Sequence, residues 1–248
     1  MADKSCRMPA DNTASRPLAA VIFDVDGVLV DSPHERAWRE ALQGITDPAR
    51  LTTEIYQAHV AGKPRLSGAR AVLEQLGVAD AAQRAPLYAE RKQRRLEELI
   101  KAADFTAFPD ALRFVRAVEK LGLRLAVASS SKNANEMMQL IRVDAGRTLL
   151  DVFAANVCGR DLRRGKPDPE IFLLAAAELG VDPSLCLVVE DAPAGVEAAR
   201  AGRMAALGVA RLGDEALLRA AGADLVVTSL DEVAGDALVE GRLRARPT

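Results

Sequence analysis

A doubly wound, mostly parallel α/β sheet with a helical cap inserted after its first strand is the architecture this 248-residue chain predicts. Three observations carry that expectation. Short, unbroken apolar runs rich in Val, Leu and Ala recur along the chain, as strands buried on both faces require. From residue 111 onward, stretches of helical spacing separate those runs, so strand and helix alternate. Between the first and second runs, a block of roughly 75 residues carries helical pattern and no good strand, the mark of an insert.

The first strand is expected within residues 18–25, and later ones within 123–129, 152–157, 185–190, 204–210 and 224–228. Helices are expected over 111–121, 133–141, 169–179, 192–201 and 214–221. Gly122, Gly180 and Gly202 stand where three of these helices should stop, each just before the next strand. The insert, residues 32–106, includes a long polar helical stretch at 89–101, and its flanks at 31–33 and 106–109 are the expected hinges. A core of residues 18–31 plus 107–240 remains. A polar, aperiodic arm (1–17) and a short basic tail (241–248) are both expected to be flexible.

Composition narrows the class of function. Aromatics are 4% against 49% hydrophobic residues, which favours helices and aliphatic strands over an aromatic-rich β-sandwich. With 33 Lys+Arg against 35 Asp+Glu, the net charge of −2 supplies no basic field for nucleic acid. No apolar run is long enough to span a membrane, and residues 1–17 lack the apolar stretch of a secretory signal. Cys6, Cys158 and Cys186 are widely spaced and form no CxxC pair, so reduced thiols in a cytoplasmic protein are expected.

Chemistry concentrates at strand ends. Asp24-Val25-Asp26-Gly27-Val28 directly follows the first strand, at the edge where open α/β sheets bind ligands. A turn that uses Asp and Gly for their backbone preferences is the alternative. The second strand runs into Ser129-Ser130-Ser131-Lys132-Asn133, whose hydroxyls and amides opening a helix suit a phosphate or simply an N-cap. Gly165-Lys166-Pro167-Asp168-Pro169 offers a lysine beside two prolines, either a point charge for phosphate or a solvated loop residue. Glu190-Asp191 closes another strand and supplies the oxygen ligands that Mg²⁺ prefers. Each piece is modest alone; their order, each beside its own strand or helix, is what coincidence does not explain.

Together these residues resemble the four motifs of the haloacid dehalogenase superfamily, with similarity running from about Leu18 to Leu230. Within it, His34-Glu35-Arg36-Ala37-Trp38, Gly62-Lys63-Pro64-Arg65, Ala128 to Asn133 and Gly165 to Pro169 are most similar to the β-phosphoglucomutases and their sugar-phosphatase relatives. The resemblance implies a Rossmann-like core in which Asp24 attacks phosphorus and carries an aspartyl phosphate, with Asp26 as general acid/base. It implies Mg²⁺ held by Asp24, the carbonyl of Asp26, and Asp191 with Glu190 nearby. Ser129, Ser130 and Lys166 would bind the transferring phosphoryl group. Dehalogenation is disfavoured, because Asp26 and the carboxylates near Asp191 fit a magnesium phosphoryl-transfer site better.

The same resemblance implies that Arg65 grips a distal phosphate, that His34 couples cap closure to Asp26, and that Lys132 and Asn133 contact the sugar. Only Ser32 and Pro33 separate Asp31 from His34, a shorter hinge than the mutase pattern implies. The implied reaction converts β-glucose 1-phosphate to glucose 6-phosphate through β-glucose 1,6-bisphosphate; hydrolysis of a sugar phosphate by the same nucleophile is the alternative. A small phosphorylated sugar is thus the expected partner of a monomeric enzyme. The basic run at 91–95, flanked by Glu90, Glu97 and Glu98, reads as a solvated helix face. Trp38 reads as a cap-core anchor, and Arg160, Arg163 and Arg164 as either anion-steering or loop residues.

Overall fold

A computed structural model describes residues 17–247, so the expected N-terminal arm, except Pro17, lies outside the described residues. The main sheet has six parallel strands: β1 (Ala20–Phe23), β4 (Arg124–Val127), β5 (Ala155–Asn156), β6 (Cys186–Glu190), β7 (Ala205–Val209) and β8 (Leu225–Val227). Their order is β5-β4-β1-β6-β7-β8. The chain winds outward from β1 to one edge, then returns to cover the other side. That reversal puts the switch point at the carboxyl ends of β1 and β6, where such sheets hold ligands.

Burial on two faces explains the unbroken apolar runs. Along β1, Val21 and Phe23 join one hydrophobic cluster while Ala20 and Ile22 join a second on the opposite face. β6 repeats the pattern, with Leu187 and Val189 on one side and Cys186 and Val188 on the other. Helices α5 (Pro109–Lys120), α6 (Ala134–Leu140), α7 (Glu170–Leu179), α8 (Pro193–Ala201) and α9 (Glu215–Ala220) follow the strands. α5 buries Ala111, Phe114, Val115 and Val118 on one stripe, the spacing of a helix laid on a sheet.

Register brings the strand ends level. Phe23 pairs with Val127 on one side and Val189 on the other. The next residues, Asp24, Ala128 and Glu190, therefore stand side by side at this edge, with Glu190 still paired to Gly208 of β7.

Between β2 (Val30–Asp31) and β3 (Thr106–Ala107) lie α1 (His34–Glu40), α2 (Thr53–His59), α3 (Arg65–Gln75) and α4 (Ala81–Lys101). β2 and β3 form a two-residue antiparallel pair, too short to stand out as strands in the sequence. These helices enclose a third cluster around Trp38, Leu42, Val72, Leu73 and Tyr88, with the Trp38 and Tyr88 rings 5.2 Å apart. The insert is not sealed off, because Ala37, Leu96, Leu99 and Ile100 join the main cluster.

Gly202 stands where expected, as the residue that ends α8, but Arg203 rather than Gly202 takes the left-handed conformation, at φ 59°, and a Cβ on Gly202 would come within 3.3 Å of Pro169. Gly180 does close α7 in that conformation. Other local expectations are corrected. The strand expected over 152–157 shrinks to β5 because a 3-10 turn occupies Leu150–Val152. The tail is held rather than frayed through residue 246: Ala234 and Arg246 donate backbone bonds to Arg244 and Glu232, and Leu243 packs on the core beside α10 (Gly235–Leu238). Among the described residues, no helix is long and apolar enough to cross a membrane. Cys158 and Cys186 are buried, free thiols.

Candidate active site

The first motif sits where β1 ends. Asp24 is buried, and its Oδ1 accepts from Lys166 Nζ at 2.5 Å. Lys166, 3% exposed, donates equally to Glu190 Oε1 at 2.5 Å, so it is a buried bridge and not a solvated loop lysine. Burial alone would lower the Lys166 pKa, but the adjoining Asp24 and Glu190 carboxylates outweigh it and hold the ammonium charged. Glu190 is further tied down by the backbone N–H groups of Asp191 and Ala192, which donate to its Oε2 at 3.0 and 3.1 Å.

Two glycines make this density of carboxylates possible. Gly27 adopts φ +83°, and a Cβ there would fall 1.9 Å from Asp191 Oδ2. A Cβ on Gly195, in the first turn of α8, would fall 1.8 Å from Glu190 Oε1. Only hydrogen at both positions lets the backbone approach so closely.

One oxygen from each of Asp24, Glu190 and Asp191 lies within 4.8 Å of the others, a potential cation site. Burial raises the pKa of all three: Glu190 to about 7 against the pull of Lys166, and Asp191 well above the carboxylate range with Glu190 and Asp24 adding repulsion. Three buried carboxylates against one buried ammonium leave negative charge uncompensated. A divalent cation fits that imbalance and the all-oxygen donor set.

Asp26 stands apart from this cluster. Ser129 Oγ donates to its Oδ2 at 3.2 Å. Burial raises its pKa, tempered by the Ser32 and Ser129 hydroxyls and by Lys92. Its Oδ1 has no hydrogen-bond donor, although His34 Nε2 comes within 3.4 Å without the alignment of a bond. His34 Nε2 also meets Ser131 Oγ at 3.3 Å, while Lys92 Nζ lies 2.9 Å from Nδ1. Burial, and then the Lys92 charge, pushes the His34 pKa well below its usual value.

A cavity of about 410 Å³ opens between the carboxyl edge of the sheet and helices α1–α4, and Asp24, Asp26, Ser129, Ser130, Arg65 and Lys132 line it. Arg65 is exposed at the start of α3 and has no ion-pair partner among the described residues. Lys132 pairs with Asp161 at 3.0 Å. Asn133 is turned elsewhere, accepting from Gln93 of α4 at 3.3 Å, and does not line the cavity. The loop arginines are engaged: Arg160 with Glu178, Arg164 with Asp168, and the Arg163 and Arg164 backbone with Glu170. Pro64 crowds Gly165, where a Cβ would fall 2.1 Å from its ring, so the Arg65 loop rests on the Lys166 loop.

The sequence reading missed two cations here. Lys92 does not belong to a solvated face: it is 3% exposed, 5.0 Å from the Trp38 ring, and burial lowers its pKa to about 7. Its neighbours in a charged run disguise it, and only the distant Trp38 and His34 reveal its place. Arg211, after β7, donates to Asp110 at 2.7 Å and to the carbonyls of Gly27 and Val28 at 3.4 and 3.3 Å, and stacks 4.1 Å from Phe108. It joins the loop after β1 to the strand of chain leaving β3, and nothing in its local sequence signals this.

A family model, haloacid dehalogenase-like hydrolase, matches residues 18–203. A β-phosphoglucomutase from Mycobacterium bovis is 36% identical over 244 residues, covering 86% of this chain and 90% of its own length. A phosphorylated carbohydrates phosphatase from Thermotoga maritima is 34% identical over 185 residues, covering 74% and 81% respectively. The crystal structure of an archaeal β-phosphoglucomutase from Pyrococcus superposes with a TM-score of 0.68 at 31% identity, covering 90% of this chain and 99% of that one. With its parallel sheet and these relatives, the chain belongs to the haloacid dehalogenase-like hydrolases, in their β-phosphoglucomutase-like branch, and is an enzyme.

Proposed function

We propose that the protein is a Mg²⁺-dependent sugar-phosphate phosphotransferase of the β-phosphoglucomutase type, with Asp24 as the phosphoryl carrier. One observation carries the mutase reading: Arg65, a cation with no ion-pair partner among the described residues, lines the cap wall of the cavity that also receives Asp24 and Asp26. A bisphosphate needs a charged grip at each end, and a guanidinium binds the far phosphate bidentately. The β-phosphoglucomutase relatives support the same reading.

In the first half-reaction, an Asp24 carboxylate oxygen forms a bond to phosphorus as the ester P–O bond breaks, and the electron pair leaves with the sugar oxygen. Asp26, whose burial favours the protonated acid, gives that oxygen its proton. In the second half, the Asp26 carboxylate takes the proton of the acceptor hydroxyl, which attacks the aspartyl phosphate and releases Asp24. Lys166 and Ser129 hold phosphoryl oxygens, with Ser130 lining the same corner. Asp24, Asp191, Glu190 and the Asp26 carbonyl would hold Mg²⁺, which screens charge between an anionic nucleophile and an anionic phosphate. The segment 32–106 acts as the cap over a core of residues 18–31 and 107–240, in a monomeric cytoplasmic enzyme activated by β-glucose 1,6-bisphosphate.

Hydrolysis is the second reading, favoured by the phosphatase relative: the nucleophile is the same and only the acceptor changes. Product analysis separates the two. With β-glucose 1-phosphate and catalytic bisphosphate, the mutase yields glucose 6-phosphate; free phosphate as the main product makes the enzyme a phosphatase.

A further inference from the structure

Gln57 is an anomaly in the cap. It is the buried residue of α2, 5% exposed, in a helix whose other positions are half-exposed or exposed. Its side chain lines the cavity, yet its Oε1 is buried without a hydrogen-bond partner and no hydrogen bond of its amide is formed among the described residues. Folded proteins rarely leave a buried amide unpaired, because neither water nor protein then replaces the lost hydration. An apolar side chain of the same size would suit the free protein better.

Its neighbour Tyr56 lines the same cavity, and its hydroxyl also has no hydrogen-bond partner among the described residues. The ring lies within electrostatic reach of Asp191, Asp26 and Asp24 on the core, so it faces the reacting edge. Burial and those charges keep the phenol protonated, a standing donor. Trp38 lines the cavity too and offers an apolar wall.

We propose that Tyr56 and Gln57 form a hydroxyl-reading subsite of the cap, which takes ring or chain hydroxyls of the polyol part of the substrate. The inference rests on the sugar-phosphate reading of the site and adds the side chains that select the sugar. The amide supplies an acceptor and a donor, and a half-turn about its last torsion exchanges them. The phenol supplies a second donor. Substrate hydroxyls then satisfy the Gln57 oxygen that the free protein leaves unpaired and replace solvent at the Tyr56 hydroxyl, and an ester lacking those hydroxyls does neither. Sites built to hydrogen-bond a hydroxyl reject analogues without it more strongly than apolar pockets reject extra bulk.

The test compares Gln57→Leu and Tyr56→Phe with the parent enzyme, using β-glucose 1-phosphate, its deoxy analogues and p-nitrophenyl phosphate, alongside thermal melting. A subsite predicts that Gln57→Leu melts at or above the parent temperature while kcat/KM for the sugar phosphate falls roughly 10- to 100-fold. The fall for the aryl phosphate should be several-fold smaller, and one deoxy position should lose its penalty in the variant. Tyr56→Phe, which removes one oxygen, should show the same selectivity more weakly. Equal losses on sugar and aryl esters, or a lower melting temperature without selectivity, would make both residues structural and overturn the proposal. If the parent releases free phosphate from the sugar ester, the mutase reading fails while the selectivity is still scored on phosphate release. If the parent shows no preference for the sugar over the aryl ester, the subsite is overturned as well.

Discussion

Lys92 Nζ lies 2.9 Å from His34 Nδ1, and the direction of that bond fixes what the other side of the ring can do. Below about pH 7, where Lys92 is an ammonium, it can only donate, so Nδ1 is the acceptor and the neutral imidazole carries its proton on Nε2. Nε2 faces Asp26 Oδ1 at 3.4 Å and Ser131 Oγ at 3.3 Å. Lys92 of α4 thus turns the Nε2 donor of His34 toward the carboxylate proposed as acid and base.

That buried ammonium makes stability depend on pH. Its pKa is lowered from 10.5 to about 7 by burial, with Asp26 opposing and Arg65 adding to the shift. Between those values the unfolded chain holds a proton that the folded one has shed, so stability rises with pH and is lost as pH falls through about 7. Lys92→Met removes this slope. Its melting temperature relative to the parent should therefore be higher near pH 6, below the window between about 7 and 10.5, than near pH 10, close to its upper end. An equal difference at both values would show that Lys92 is not charged at a cost.

Glu190 has the opposite sign. Its pKa rises from 4.5 to about 7, so the stability it contributes is complete below 4.5 and is lost as pH rises through 7. Asp24 and Asp191 shift the same way. A cation among the three offsets that loss. Added Mg²⁺ should therefore raise the melting temperature more at about pH 8 than at about pH 5, compared with chelator-treated protein. A Mg²⁺ effect independent of pH would place the ion elsewhere.

Arg65 is the residue proposed to grip the distal phosphate. Arg65→Ala should reduce conversion of the sugar phosphate far more than hydrolysis of an aryl phosphate, and should raise the fraction of phosphoenzyme lost to water. Lysine should rescue only partly, because a point charge lacks the bidentate fork. Equal losses on the two substrates would remove Arg65 from distal-phosphate binding.

Arg211 acts through other groups. It holds the Gly27 and Val28 carbonyls, and Gly27 is the residue pressed against Asp191. Arg211→Ala should lower kcat by about 10-fold or more, with a smaller change in KM, when assayed well below its melting temperature. Arg211→Lys should recover part of kcat. A loss confined to melting temperature would make the residue purely structural.

The sheet was legible because β1 and β6 are buried on both faces, which writes them as unbroken apolar runs. Asp24 and Glu190 were legible because residues at the carboxyl ends of parallel strands converge on one edge, and register makes that convergence exact in depth. Lys166 was legible from its proline-flanked motif. Lys92, Gln57 and Arg211 were not, because each owes its role to partners far away in the chain: Lys92 to His34 and Trp38, Arg211 to Gly27 and Asp110, Gln57 to a cavity wall. Local pattern records burial only where neighbours share it. Asn133 illustrates the converse, for its motif position promised the cavity but Gln93 holds its side chain outside.

The covalent role proposed for Asp24 is tested most directly by the phosphoenzyme itself. Incubation with a labelled sugar bisphosphate, acid quenching and peptide mass analysis should find the label on the peptide carrying Asp24, in an acid-stable, hydroxylamine-labile acyl phosphate. Asp24→Asn should fold normally, carry no label and lose turnover by at least about 10³-fold, because an amide is a poor nucleophile. Label retained in the Asn variant, or found on another residue, would contradict the account.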